Sequence, residues 1–215
     1  MKKFLSLSIV LLIVAIIYTI AVINIDVAAV GPDGSSVGFS TINKKVSSTF
    51  EYNDTWYTVT KYAGILPFFL VAFYGCTGVI QLIKEKSLKR VNKKLILLGA
   101  TYVVLGAIYI LFEKFIVNYR PVLMEGKLEA SYPSSHTLLA IVVCASSLMI
   151  SKDFIKNETL RKIVDILTAI LMILIVIGRI ISGVHWISDI GGGIIISLCT
   201  LSFFKSAILM IDKEG

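Results

Sequence analysis

The sequence predicts an all-α integral membrane protein with six transmembrane helices in one bundle. Hydrophobic residues make up 56% of the 215 residues and charged residues only 16%, a balance that a soluble domain of this size cannot bury. Mean hydropathy is +0.86. Apolar runs also recur at lengths near the roughly 20 residues that cross a ~30 Å hydrocarbon layer. These runs cover residues 4–24, 62–83, 95–112, 137–150, 163–181 and 187–211.

Two of these runs are transmembrane helices only if a further requirement is met. The first follows Lys2 and Lys3, so a cleaved secretory signal peptide is the alternative to a retained helix. It is longer than a typical signal core, and no small-residue cleavage site follows it, which favours a retained anchor. The fourth run is short, and it must extend into its flanks, residues 133–136 and 151–155, to cross a bilayer.

The longest connection is the first outer loop, residues 25–61. It opens with turn-forming residues at 31–36, and an apolar helical face follows, made by Phe39, Ile42, Val46 and Phe50. This pattern predicts a short helix in the membrane interface. A lid over a site and a simple interfacial anchor are both consistent with it.

The distribution of lysine and arginine predicts the orientation of the bundle. The net charge of +7 is less informative than its placement, because basic residues accumulate in cytoplasmic loops of multi-span proteins. Alternate connections share one basic side, which places both termini in the cytoplasm. That side contains Lys2, Lys3, Lys84, Lys86, Lys89, Arg90, Lys93, Lys94, Lys152, Lys156, Arg161, Lys162, Lys205 and Lys213. The charge therefore does not indicate nucleic-acid binding, and without an internal repeat or soluble insert we expect one membrane domain, 1–215.

Three segments on the opposite, outer side hold an unusual set of polar residues. One closes the third span and ends in Arg120-Pro121, and the next opens the fourth span as Pro133-Ser134-Ser135-His136. The last runs from Gly178-Arg179 to His185 and Asp189. His136 and His185 are the only two histidines in the chain. The topology brings all three segments to one depth.

The residue types in these segments suit phosphoryl transfer. Ser134 and Ser135 at a helix N-terminus offer an anion cradle. His185 and Asp189 are four residues apart on one helical face, so the carboxylate can accept the Nδ1 proton while the other nitrogen acts as a nucleophile. The planar guanidinium groups of Arg120 and Arg179 match phosphate oxygens.

These motifs resemble the type 2 phosphatidic acid phosphatase family, whose fold is shared with bacterial acid phosphatases and vanadium haloperoxidases. The family pattern is Lys-x6-Arg-Pro, then Pro-Ser-Gly-His, then Ser-Arg-x5-His-x3-Asp. Arg120-Pro121 matches the end of the first motif, and the segment ending in His136 matches the second with Ser135 in place of glycine. Arg179, His185 and Asp189 match the third at its spacing.

The resemblance implies a role for each matching residue. His185 would be the nucleophile that forms a phosphohistidine, Asp189 its orienting partner, and His136 the general acid for the leaving group. The phosphate-binding residues would be Arg120, Arg179, Ser134 and the amide of Ser135. The family needs no metal or other cofactor, and this chain has no evident carboxylate cluster that would bind one.

Besides Ser135, two further positions depart from the family pattern. Glu113 stands where the first motif has lysine, and Lys114 is one place late; Gly178 replaces the serine of the third motif. Either Lys114 reaches the phosphate through a local bulge, or Glu113 faces the site and orients Arg120 by a salt bridge. Helical geometry favours Glu113, because a seven-residue separation returns close to the same face.

The sequence thus predicts a metal-independent lipid phosphatase acting at the outer membrane face. By resemblance, its substrate is a lipid phosphate or diphosphate such as undecaprenyl diphosphate, phosphatidylglycerol phosphate or phosphatidic acid. Membrane lipids are the expected surroundings, and no obligatory protein partner is inferred. The alternatives are phosphotransfer to another acceptor, a catalytically silent lipid-phosphate binder, and a transporter. Transporter sites lie near the midplane of repeated halves, whereas these polar residues lie at span ends.

Overall fold

A computed structural model describes the backbone of residues 2–214 and the side chains of residues 4–213. The side chains of Lys2 and Lys3, used in the topology prediction, lie outside the described residues. The described part is nearly all helical, and its β-structure is confined to three isolated bridges. Its helices are α1 (Lys2–Asn24), α2 (Ser40–Ser47), α3 (Asp54–Ala63), α4 (Pro67–Glu85), α5 (Lys93–Lys114), α6 (Ser135–Phe154), α7 (Glu158–Ile181) and α8 (Ile187–Glu214).

Six candidate membrane spans are present among the described residues, as the sequence predicts. Five of them are α1, α5, α6, α7 and α8, and the sixth, Asp54–Glu85, combines α3 and α4. The helical part of this second span begins at Asp54, within the segment that the sequence analysis assigned to the loop. The short fourth run does extend into its flanks, since α6 covers Ser135–Phe154.

Helix α6 forms the centre of the bundle. Within its most apolar window 56% of the residues are buried, against 17% in α1, because α6 packs against α4, α5, α7 and α8. Leu138, Val142 and Val143 of α6 belong to one core cluster with residues of α1, α5 and α8. The outer helices expose their Ile, Leu and Val side chains on the surface that faces the lipid.

Polar contacts fix the helices at defined heights. Ser8 of α1 lies 2.9 Å from the hydroxyl of Ser202 on α8, a small-residue contact of the kind that lets membrane helices approach closely. Lys94 of α5 forms ion pairs with Asp153 and Asp212, each at 2.7 Å. These pairs join α5, α6 and α8 at the end of the bundle opposite the histidines.

The predicted short helix in the first loop is present as α2, but a polar residue docks it. Asn43 is fully buried; its amide donates to the Gly38 carbonyl at 2.7 Å and to the Ser188 hydroxyl at 2.8 Å, and its side-chain oxygen accepts the Ser188 amide. Ile42, on the predicted apolar face, is 49% exposed. Helix α2 is therefore attached to the start of α8 through hydrogen bonds.

Helix α3 packs directly on α7 at Gly178. A Cβ atom placed on Gly178 would collide with Cγ2 of Thr60 and would lie 3.2 Å from the ring of Trp56. Thr60 is fully buried there. The glycine that departs from the family pattern therefore makes room for α3, which lies where a serine side chain would project.

Restoring the family serine with Gly178→Ser should destabilise the protein by about 1–3 kcal/mol, the usual cost of overpacking. Thermal unfolding in detergent measures this as a lower midpoint. Gly75→Ser is the matched control, because a Cβ at Gly75 meets nothing within 4 Å. Adding Thr60→Ser, which removes only Cγ2, should recover part of the loss; equal midpoints for Gly178→Ser and the control would contradict this packing.

Candidate functional site

The site is built at one end of the bundle from three chain segments. The first is a hairpin between α5 and α6, in which Tyr119 bridges to Ala130 and Met124 to Lys127. The second is the start of α6, and the third is the turn between α7 and α8. In this turn Gly183 has a φ of +64°, a conformation that glycine adopts without strain, and it lies against the backbone of Phe50 and Glu51.

The structure brings His185 and Asp189 together, but with a hydroxyl group between them. His185 Nδ1 lies 4.0 Å from Asp189 Oδ2, too far for a hydrogen bond. Ser131 fills the gap: its Oγ is 2.9 Å from His185 Nδ1 and 2.5 Å from Asp189 Oδ2. The direct contact expected from the sequence is thus a relay through Ser131, a residue that the sequence analysis did not select.

The carboxylate of Asp189 is completely buried and accepts three hydrogen bonds. Besides Ser131, the donors are the side-chain amide of Asn118 at 3.0 Å to Oδ1 and the backbone N–H of Trp186 at 3.0 Å to Oδ2. Such donors compensate for the loss of water around a buried ion. The backbone carbonyl of Asp189 also accepts the amide of Ser134 at 3.0 Å, which connects α8 to the start of α6.

This hydrogen-bond pattern determines the tautomer of His185. An ionised carboxylate can only accept, so Ser131 donates its hydroxyl hydrogen to Asp189 and its oxygen accepts from His185 Nδ1–H. The Nε2 atom is then left with a free lone pair, and it is buried with no hydrogen-bond partner among the described residues. Burial, together with the charges of Arg120 and Arg179, holds the pKa of His185 well below its usual range, so the ring is neutral.

The two arginines predicted to bind phosphate lie at this site, and each has buried N–H groups without a hydrogen-bond partner among the described residues. Arg179 is 1% exposed, and its Nε and Nη1 have no hydrogen-bond partner among the residues described. Its Cζ lies 5.5 Å from the centre of the Tyr57 ring, a cation–π distance. Nη1 of Arg120 likewise has no partner. Buried donors without partners are costly, and an anion with several oxygens would satisfy them.

Arg120 pairs with Glu129 and not with Glu113, the partner that helical geometry favours. Helix α5 ends at Lys114 with Phe115 as its C-cap, so Arg120 lies in the hairpin and does not continue the helical face of Glu113. Arg120 forms an ion pair with Glu129 across the hairpin, with Nε 3.1 Å from Oε2 but not aligned for a hydrogen bond. Helical spacing gives no indication of Glu129, because only the hairpin brings it to Arg120.

Glu113 and Lys114 differ in their relation to the site. Both side chains are exposed at the end of α5, but Glu113 lines a small pocket beside His185 and Ser135 and Lys114 does not. The pocket therefore contains an acidic side chain at the position where the family pattern has a lysine.

The serines at the start of α6 have distinct environments. Ser134 is fully buried and is the N-cap of α6, where its oxygen accepts bonds from the N–H and hydroxyl of Thr137. Ser135 is partly exposed and lines both the small pocket and a neighbouring groove. His136 is next to it, and its Nδ1 has no hydrogen-bond partner within the described part of the chain.

An apolar groove of about 520 Å³ starts at His136 and runs between α4, α5 and α6. Its walls include Ile65, Phe68, Leu105 and Leu139. At its polar end are His136 and Lys61, the latter from α3. A groove with these walls suits a hydrocarbon chain whose polar end reaches the histidines.

The fold and this site define a multi-pass membrane protein that places two histidines beside two arginines at one end of its helical bundle. Residues 62–211 match the PAP2 superfamily. The chain therefore belongs to the PAP2 superfamily, and its fold is that of a membrane lipid phosphatase of this family.

A solved structure agrees on the fold. The chain is similar to the crystal structure of a transmembrane PAP2-type phosphatidylglycerolphosphate phosphatase from Bacillus subtilis, with a TM-score of 0.60 and 18% sequence identity. The match covers 95% of this chain and 96% of the other. No curated protein sequence matches.

The neutral His185 should make stability depend on pH. Its folded-state pKa lies below that of the unfolded chain, so below about pH 6.5 the unfolded state binds the additional proton and stability falls with falling pH. His185→Asn should remove this contribution, which amounts to up to about 1.4 kcal/mol per pH unit. Unfolding in detergent at pH 7.5, 6.5 and 5.5 measures it; a variant that keeps the wild-type slope would contradict the assignment.

Proposed function

We propose that this chain hydrolyses the phosphomonoester or diphosphate of a lipid at the extracytoplasmic face of the membrane. Candidate substrates are of the undecaprenyl diphosphate, phosphatidylglycerol phosphate or phosphatidic acid type. The main support is one observation: the free Nε2 of His185 is buried together with arginine N–H groups that have no partners. A neutral nucleophile beside unsatisfied positive donors suits attack on a phosphate group.

In the first half of the proposed reaction, His185 Nε2 attacks phosphorus and forms an N–P bond. The bond between phosphorus and the leaving oxygen breaks, and His136 gives its proton to that oxygen. Arg120 and Arg179 stabilise the charge on the equatorial oxygens during transfer, assisted by the Ser135 amide and by Ser134. The Ser131–Asp189 relay holds the positive charge that develops on His185.

In the second half, water attacks the phosphohistidine. His136, now neutral, accepts a proton from the water, the N–P bond breaks, and inorganic phosphate leaves with His185 neutral again. No metal ion takes part in this scheme. His136 is the acid in one half and the base in the other, as the reversal of roles in a double displacement requires.

The groove beside His136 is proposed to hold the lipid chain. It is apolar along its length and meets the polar site at His136, which places the bond between lipid and phosphate next to the proposed acid. Such a site processes a substrate that stays in the membrane and presents only its phosphate to the histidines.

The orientation is proposed from the basic residues. Lys94, with its partners Asp153 and Asp212, lies at the end of the bundle opposite the histidines. Most other lysines of the inner connections share that end by topology. By the positive-inside rule that end is cytoplasmic, which places the termini inside and the site outside within a single domain, 1–215.

The purified protein should release phosphate from at least one member of a panel of lipid phosphates and diphosphates, equally with and without a chelator. His185→Asn and His136→Asn should each abolish turnover. With an aryl phosphate, whose good leaving group needs no acid, His136→Asn should still form acid-labile phosphohistidine, measured with radiolabelled phosphate, whereas His185→Asn should not. Labelling of His185→Asn would exclude this mechanism, and solute uptake by proteoliposomes without phosphate release would favour a transporter.

Ser131→Ala should lower kcat by roughly 10- to 100-fold, since it leaves the buried Nδ1–H of His185 unpaired, while KM changes little. Ser131→Thr, which keeps the hydroxyl, should retain most of the rate. Ser147→Ala is the control, because Ser147 bonds to Tyr74 in the core. Wild-type kcat for Ser131→Ala would exclude the relay.

A further inference from the structure

Lys61 is a cation at the site that the family motifs do not include. It lies on α3 and is exposed, and it is the only lysine or arginine among the described residues that line the groove. No carboxylate within the described part of the chain forms an ion pair with it; its recorded contact is with the ring of Tyr57, at 5.8 Å. Its charge is therefore available for a ligand.

Lys61 faces the side of the site occupied by His136. Gly64, three residues after Lys61 and thus on the same face of the helix end, lies directly against His136: a Cβ on Gly64 would be 2.7 Å from Cδ2 of the imidazole. Lys61 and His136 line the groove together, and Lys61 interacts electrostatically with His136.

Arg120 and Arg179 act on both histidines, whereas Lys61 acts on His136 alone. His185 lines a separate small pocket to which Lys61 does not contribute. The cations that act on His185 are Arg120 and Arg179. The arginines are therefore common to both histidines, and Lys61 is a further cation on the side where His136 meets the groove.

The inference rests on the proposed function, in which His185 attacks one phosphate and His136 protonates the leaving group. The arginines hold the phosphate that is transferred, and the leaving group passes His136 into the groove. We infer that Lys61 binds a second phosphate located in the leaving group, so that the protein prefers lipids with two phosphates to lipids with one. A lysine ammonium group is a compact positive charge that binds phosphate oxygens through charge-assisted hydrogen bonds.

Lipids with this chemistry fall into two groups. In an isoprenoid diphosphate the leaving group is a monophosphate, and in phosphatidylglycerol phosphate it carries a phosphodiester. Phosphatidic acid and isoprenoid monophosphates are the counterparts, because their leaving groups are uncharged.

The test uses the full-length chain in detergent with two matched pairs of substrates. The pairs are farnesyl diphosphate with farnesyl monophosphate, and phosphatidylglycerol phosphate with phosphatidic acid. Wild type should show kcat/KM about tenfold higher for the two-phosphate member of at least one pair, and the pair that shows it identifies the source of the second phosphate. Lys61→Gln should lower this ratio about tenfold by reducing kcat/KM of the two-phosphate member alone; the farnesyl pair keeps a residual ratio in both proteins, because phosphate is a better leaving group than an alkoxide.

Lys61→Arg should keep the preference, and Lys45→Gln, which removes an exposed lysine on α2, should leave it unchanged. The preference of the wild type should weaken as ionic strength rises, since an exposed charge is screened. The inference is overturned if Lys61→Gln lowers both members equally, which would assign Lys61 to the transferred phosphate, or if it changes neither.

A binding measurement separates this inference from the proposed function. By calorimetry, wild type should bind inorganic diphosphate more tightly than inorganic phosphate, and Lys61→Gln should lose that difference. If this holds while no lipid phosphate is hydrolysed, the proposed function fails and the Lys61 site stands. If lipids are hydrolysed but neither preference depends on Lys61, the inference fails and the function stands.

Discussion

The buried carboxylate of Asp189 is the constraint on which the arrangement of the site depends. A charge without water is tolerated only where hydrogen bonds replace the solvent, and the donors to Asp189 come from Ser131, Asn118 and the backbone of Trp186. These residues belong to the hairpin and to the turn before α8. One residue therefore holds together segments that are far apart in the chain, and the positions of His185 and of the α6 N-terminus follow from it.

The two arginines of the site also have more than one role. Arg120 and Arg179 retain buried N–H groups without partners, an arrangement that is unfavourable in the empty site and favourable when an anion is bound. Their charges also act on His185 and, with burial, keep its pKa low. A single pair of arginines thus suits both the binding of phosphate and the neutral state that a histidine nucleophile needs.

Helix α3 accounts for the departure from the family pattern at Gly178. At Gly178 the missing serine side chain makes room for Thr60 and Trp56, so the replacement is a packing requirement of this chain. At Glu113 the missing lysine leaves an acidic side chain at the small pocket that His185 and Ser135 also line. In our proposal Lys61, one residue after Thr60, adds a cation on the opposite side. In that proposal the added cation determines which part of a substrate meets positive charge.

The sequence by itself determined the six spans, their order, and the placement of His136, His185, Arg120 and Arg179 at span ends, because hydropathy and helix length are local properties that a bilayer selects directly. Only the tertiary structure decided the partners: Ser131 between His185 and Asp189, Glu129 on Arg120, Asn43 on Ser188, and Lys61 beside His136. The helix that the sequence suggested beyond Glu113 ends at Lys114, and the hairpin after it pairs residues by backbone hydrogen bonds. Such pairings join residues distant in the chain and leave no periodic signal, so the family motifs locate the reactive residues while the fold determines what each one contacts.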